Sequence, residues 1–149
     1  MSPFEQLLKD LGSHLQMTLN VDQNQSCRLE FDKGPILQID LDSQGDSALF
    51  GAELGKINPG VYRETIFRSA LIANGMLGDI YKPIIAYSEK KNELFLFQYC
   101  PLNLPVNELT DFFHLFQNYA AFWHEAIGRG EIPDLRNLEN IVQGRESFR

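Results

Sequence analysis

Phe4-x-x-Leu7-Leu8-x-x-Leu11-Gly12-x-x-Leu15-x-Met17 opens the chain with apolar residues three and four positions apart, which places them on one face of a helix. Ser2-Pro3 suits the start of that helix, because proline fills a first turn that needs no amide donor. Gly12 costs helix stability and permits a close backbone approach. Past the polar, turn-like segment Val21–Gln25 the period changes from helical to two residues: Cys27-Arg28-Leu29-Glu30-Phe31-Asp32 alternates strictly. Leu37, Ile39 and Leu41 alternate with Gln38, Asp40 and Asp42 in a second strand, and Ala48, Phe50, Ala52 and Leu54 carry a third. Lys33-Gly34-Pro35 reads as a turn, though not a standard tight hairpin pair, and Ser43-Gln44-Gly45-Asp46 closes the next hairpin. Half-polar strands joined by short turns are antiparallel, with one covered side and one wet side.

After Asn58-Pro59-Gly60 a second helix is expected from about Val61 to Met76, with small residues on part of its surface. Those residues suit either self-association or plain packing on the sheet. Ile84–Ser88 and Leu94–Cys100 flank the turn Glu89-Lys90-Lys91-Asn92 and are apolar on both faces. Phe95, Phe97 and Tyr99 share one side, and Leu94, Leu96 and Cys100 the other. A strand of that kind is buried twice, covered by a subunit, or exposed for binding. Pro101 and Pro105 end the sheet, and Asn107 or Thr110 is the expected cap of a last helix whose stripe is Leu109, Phe113, Phe116, Ala120, Trp123 and Ile127. Gly128-x-Gly130 stops it. The expected fold is therefore α+β, an antiparallel sheet with helices in the order α-β-β-β-α-β-β-α. Residues 1–130 form one domain, and residues 131–149 form a C-terminal extension, loosely docked or mobile, in which Leu135, Leu138, Ile141 and Val142 give a weak helical pattern.

Composition excludes several functions. A chain of 149 residues that is 44% hydrophobic and 22% charged is a folded domain, burying roughly 70% of its unfolded surface. Its net charge of −7, with no basic run longer than Lys90-Lys91, lacks the clustered cations that neutralise phosphates. Nucleic acid and anionic membranes are poor partners for it. No basic-then-apolar leader opens the sequence, and no apolar run approaches the roughly 18–20 residues that span a bilayer. Cys27 and Cys100 both lie in strands and read as reduced buried thiols, with a disulfide the alternative; the expected compartment is the cytoplasm.

Reaction chemistry is not legible. His14, His114 and His124 are scattered over two helices, and the ten-residue spacing of the last two does not suit a shared metal. Cysteine–histidine nucleophile pairing has no supporting motif. Asp32, Asp40 and Asp42 could approach one another, but on alternating strands they read as a solvated face. Gly45, Gly51 and Gly55 form no phosphate-cradling loop. Much apolar surface without a reaction centre points to a protein that grips another polypeptide; neither catalysis, a cofactor nor a metal is expected.

In its order of elements the chain resembles the class I type III secretion chaperones, the CesT/SycE-like family of small acidic bacterial proteins. The likeness rests on Phe4-x-x-Leu7-Leu8-x-x-Leu11-Gly12, Cys27-x-Leu29-x-Phe31-Asp32, Leu54-Gly55, Leu71-Ile72-Ala73-Asn74, Leu94-x-Leu96-x-x-Tyr99, Leu102-x-Leu104 and the helix Phe113-x-x-Phe116 to Phe122-Trp123, together spanning roughly residues 3–128. Two departures are Gly75-Met76-Leu77-Gly78 ahead of Lys82-Pro83, and the long tail. The resemblance implies a cytoplasmic bacterial homodimer that binds the extended N-terminal region of secreted effectors and keeps them soluble and export-competent, with the secretion ATPase as a further partner. It also implies an effector groove at Phe4, Leu8, Leu11, Phe31, Leu37 and Ile39, and a dimer seam at Ile66, Ala70, Ile84 and Ala86, each competing with a role in the core. The alternative is a non-catalytic regulatory or scaffold module that binds a folded partner.

Overall fold

The computed structural model describes residues 1–77, 82–136, 138 and 141; Gly78 and Val142 lie outside them. These residues form α1 (Pro3–Leu15), β1 (Ser26–Leu29), β2 (Leu37–Leu41), β3 (Ser47–Lys56), α2 (Val61–Leu77), β4 (Ile84–Ser88), β5 (Glu93–Pro101) and α3 (Val106–Gly128), in the order α-β-β-β-α-β-β-α. The described strands make one antiparallel sheet in the order β1-β2-β3-β5-β4.

Local chemistry sets the limits of α1. The Ser2 hydroxyl accepts the Glu5 amide at 3.1 Å, satisfying one of the donors a helix start leaves open. At the other end Gln16 turns left-handed (φ 58°) and the Met17 amide donates to the Gly12 carbonyl at 2.9 Å. A Cβ on Gly12 would stand 2.7 Å from the Met17 oxygen, so the close backbone approach expected of this glycine is part of the helix stop. The last helix begins earlier than Asn107 or Thr110. Pro105 takes the cap position with no side-chain bond, while the Thr110 hydroxyl donates back to the Asn107 carbonyl from within the helix. Proline's fixed φ is already compatible with entering a helix, so a polar cap is not required there.

One face of the sheet is the core. Leu29, Leu37, Ile39, Phe50, Leu54, Leu96 and Cys100 point inward to meet Phe4, Leu8 and Leu11 of α1 and Phe113, Phe116, Tyr119 and Trp123 of α3. Phe50 lies at the centre of an aromatic cluster, edge-on to Phe112, Phe113 and Phe116 at ring-centroid distances of 5.1, 6.4 and 5.8 Å. The Tyr119 hydroxyl and the Trp123 indole N–H are buried, with no hydrogen-bond partner among the described residues. Burial pushes the Tyr119 phenol up to about 12, a rise that the neighbouring Trp123 only partly offsets.

β3 carries an irregularity that fixes α3. Glu53 faces Phe95 and Gly55 faces Leu94, so Leu54 is an extra residue in the strand, a β-bulge. The bulged backbone lies against α3: His124 Nδ1 donates to the Leu54 carbonyl at 3.1 Å, and a Cβ on Gly55 (φ +139°) would stand 2.7 Å from Ile127 Cγ2. A carbonyl only accepts, so this bond sets the hydrogen on Nδ1. His124 is thus a structural clasp rather than a loose surface residue.

At the far edge α2 packs beside β4 through Ile66, Ala70 and Ala73. The Asn74 amide closes that edge at Ile85, donating to its carbonyl at 2.8 Å and accepting its N–H at 2.9 Å. The Arg63 guanidinium, stacked on Phe67 and Tyr87, donates to the Tyr87 hydroxyl at 2.7 Å and Asn92 Oδ1 at 3.3 Å, tying α2 to the β4–β5 turn.

One expectation changes. β1 ends at Leu29, and Phe31 leaves the strand to pack 6.2 Å from the Phe113 ring. The described part of the C-terminal extension is docked: Pro133 and Leu138 are buried, Leu135 and Ile141 lie against the core, and the Tyr62 hydroxyl donates to the Glu131 carbonyl at 2.8 Å.

Candidate protein-binding surfaces

Hydrogen-bond parity shows what the β1 edge offers. The Leu41 amide donates to the Gln25 carbonyl, so Gln25, Cys27 and Leu29 turn their polar backbone groups toward β2. Ser26 and Arg28 turn theirs outward. Asp22 occupies both groups of Ser26, its N–H donating to the Ser26 carbonyl at 2.9 Å and its Oδ1 accepting the Ser26 N–H at 3.0 Å. The N–H and C=O of Arg28 face away from the sheet, in contrast to the Asn74-closed edge at β4.

Beside this edge runs a groove of about 860 Å³ between α1 and the segment that follows it, lined by Leu8, Gly12, Gln16, Leu19, Val21 and Asp22 among others. Past the end of α1, Met17, Leu19 and Val21 are half-buried while Thr18 and Asn20 are exposed, and Leu19 and Val21 pack on the core. This two-residue alternation was the signal in the sequence, overshadowed by the helical stripe that runs into it.

The uncovered sheet face carries a second trough, of about 500 Å³. Phe95, Phe97 and Tyr99 stand along β5, opposite Glu53, Gly51 and Leu49 of β3 respectively. Arg28, Asp40, Glu53 and Lys91 surround these aromatics, with Lys91 Nζ 3.7 Å from Glu53. On the flanking β4, Ile84 and Ala86 are half-buried partners of Phe97 and Phe95. A third apolar face belongs to α2, where Val61, Leu71, Ile72 and Met76 are exposed, Leu71 at 71%.

The residues expected to bind are mostly placed beneath these surfaces. Phe4, Leu8, Leu11, Leu37 and Ile39 are at most 2% exposed and belong to one core cluster, in which only Leu8 also reaches the α1 groove. Phe31 is half-buried against that core. Ile66 and Ala70 face their own sheet, whereas Ile84 and Ala86 lie on the open face. Helix and strand periods identify an apolar face, and α1 and α2 both use that face to hold their own protomer together.

Among the described residues no catalytic constellation accompanies these surfaces. Burial pushes the Cys100 thiol up to about 12; burial, and to a lesser extent Asp22, also raises Cys27, so both remain poor nucleophiles. Asp40 accepts from the Gln38 amide at 3.0 and 3.1 Å on the open face, and Asp32 is exposed in the β1–β2 loop. Among the described residues, no helix is long and apolar enough to cross a membrane.

Solved structures share this arrangement. One described as the HopA1-SchA chaperone-effector complex is similar at TM-score 0.66 and 22% identity, over 83% of this chain and 94% of that one. The ExsC-ExsE complex is similar at TM-score 0.69 and 18% identity, over 84% and 96%. YbjN from E. coli, described as a putative transcription regulator, is similar at TM-score 0.56 and 17% identity, over 84% and 89%, so the fold alone does not select one activity. No curated protein matches the sequence. The sequence match is more specific than the fold: with residues 6–124 matching its family description, the chain belongs to the Tir chaperone protein (CesT) family.

Proposed function

We propose that the protein is a type III secretion chaperone that, as a cytoplasmic homodimer, holds the N-terminal region of a secreted effector in an extended, export-competent form. The observation that carries this reading is the groove beside α1, with Leu8, Met17, Leu19 and Val21 set among polar side chains, running alongside the open β1 edge in a chain of this family. An extended ligand has no core of its own. Ordering its backbone costs about 1–2 kcal/mol per residue, and burying a Leu or Ile returns about 1.5–3 kcal/mol. Binding therefore needs anchors spread along a surface, helped by backbone pairing such as Arg28 offers. The net charge of −7 keeps a surface of this kind soluble. Leu8 lines this groove, while Phe4, Leu11, Leu37 and Ile39 lie in the core and Phe31 packs on Phe113, so these five support the site only through the fold. Handover of the loaded effector to the secretion ATPase belongs to the same reading.

The experiment is co-expression with candidate effectors from the same genome, followed by limited proteolysis of the purified complex. An effector N-terminal segment that stays bound and protected, and binds again as an isolated unfolded peptide, is the expected result. Binding only to intact folded proteins would replace this reading with the scaffold alternative.

For the homodimer, the seam proposed is the exposed face of α2 with Ile84 and Ala86 of β4. Replacing Leu71 and Ile72 together by glutamate places like charges on that face, and neither side chain supports the protomer's core. Light scattering should report twice the chain mass for the native protein and the single-chain mass for L71E/I72E, with unchanged circular dichroism. A dimer that survives the double substitution would move the seam elsewhere.

A further inference from the structure

We propose that His14 and His114 together form a site for a borderline transition-metal dication such as Zn²⁺, Ni²⁺ or Cu²⁺, joining the end of α1 to α3. The two residues are 100 positions apart in sequence, and the fold brings their Nε2 atoms to 2.9 Å. Their rings meet edge-on, with centroids 5.1 Å apart and planes at 70°. Metal–imidazole bonds are about 2.0–2.1 Å long, so two ligands at a right angle hold their nitrogens about 2.9 Å apart, and two at a tetrahedral angle about 3.4 Å. The observed spacing equals the first and lies about half an ångström short of the second. Accommodating an ion therefore asks for ring rotation rather than movement of either helix.

The chemistry of the donors agrees. Imidazole suits zinc, nickel and copper, whereas magnesium and calcium prefer oxygen. One Nε2 donates to the other in the present contact, so the acceptor's lone pair points at the donor nitrogen and must swing off that line to reach a shared ion. Moving the donor's hydrogen to Nδ1, a change of tautomer, frees the second. Both residues are exposed, leaving the outer coordination positions open to water. Asp10 lies four positions before His14 on α1 and Asp111 three before His114 on α3, so each helix carries a carboxylate one turn away. Among the described residues no group of three or more metal-ligating side chains occurs, which makes this a two-histidine, water-completed site rather than a structural zinc centre. His14 occupies the last turn of α1, next to Gly12, Ser13 and Gln16 of the α1 groove, so an ion here would stiffen one wall of that groove. The proposal does not depend on what the groove binds.

The test is calorimetric titration of the full-length, untagged protein with ZnCl₂, NiCl₂ and CuCl₂ in a non-chelating buffer. The same titrations are run on His14→Gln and His114→Gln, with circular dichroism confirming that each variant is folded. The expected result is one ion per chain for at least one metal, with affinity reduced at least tenfold by either substitution. Nickel should also broaden the His14 and His114 ring resonances ahead of those of His124. Absence of binding by all three metals overturns the site, as does binding that survives both single substitutions, which would put the ion elsewhere.

Discussion

Phe50→Ala is expected to destabilise the protein by about 3–5 kcal/mol, the range for removing a large aromatic from a packed core. Phe50 is 1% exposed and lies on the central strand β3, where its ring meets those of Phe112, Phe113 and Phe116. Those three belong to α3, whose helical geometry prevents them from converging on the space left behind. The loss therefore combines transfer of the ring to water with a persistent cavity and three forfeited edge-to-face contacts. Against a typical total of about 5–15 kcal/mol this is a large fraction of the stability. Urea denaturation at one fixed protein concentration should show a lower midpoint with an unchanged slope. A loss below about 1 kcal/mol would mean that α3 is not anchored to the sheet through this ring.

Gly55→Ala should be nearly as damaging, for a different reason. At φ +139° the backbone occupies a region open essentially to glycine, and holding another residue there costs about 1–3 kcal/mol. The new Cβ would also stand 2.7 Å from Ile127 Cγ2, forcing the end of α3 away from the β3 bulge and straining the His124–Leu54 bond. Overpacking of that kind adds about 1–3 kcal/mol. Combining it with Ile127→Ala separates the two contributions, because the double variant removes the collision and keeps the backbone strain. Partial recovery relative to Ile127→Ala alone is the expected result in urea denaturation. Full recovery would rule out backbone strain, and no recovery would rule out the collision.

The contrast between β5 and α1 shows why part of the candidate surface was legible and part was not. Alternation along Leu94–Cys100 separated Phe95, Phe97 and Tyr99 from Leu94, Leu96 and Cys100, and the sheet uses the two sets on opposite faces. That separation is a local property of extended backbone. On α1 the helical stripe correctly marks one apolar face, but Phe4, Leu8 and Leu11 spend it on the core. Periodicity reports which side chains leave water together, and it carries no information on whether the surface that receives them belongs to the same chain or a partner. The small-residue side of α2 follows the same logic: Ile66 and Ala70 face the sheet, and Leu71 and Ile72 remain outside.

Sequence alone determined the element order, the sidedness of the strands and the start of α1 at Ser2-Pro3, because each follows from dihedral preference and hydrophobic period within a few residues. Only the tertiary structure decided that Asn74 closes the β4 edge, that His124 satisfies the Leu54 carbonyl, and that His14 meets His114. The physical reason is the range of the interactions. Propensity and amphipathicity act along neighbouring residues, whereas these polar contacts join atoms up to 100 positions apart, and their partners are chosen only when the helices settle on the sheet.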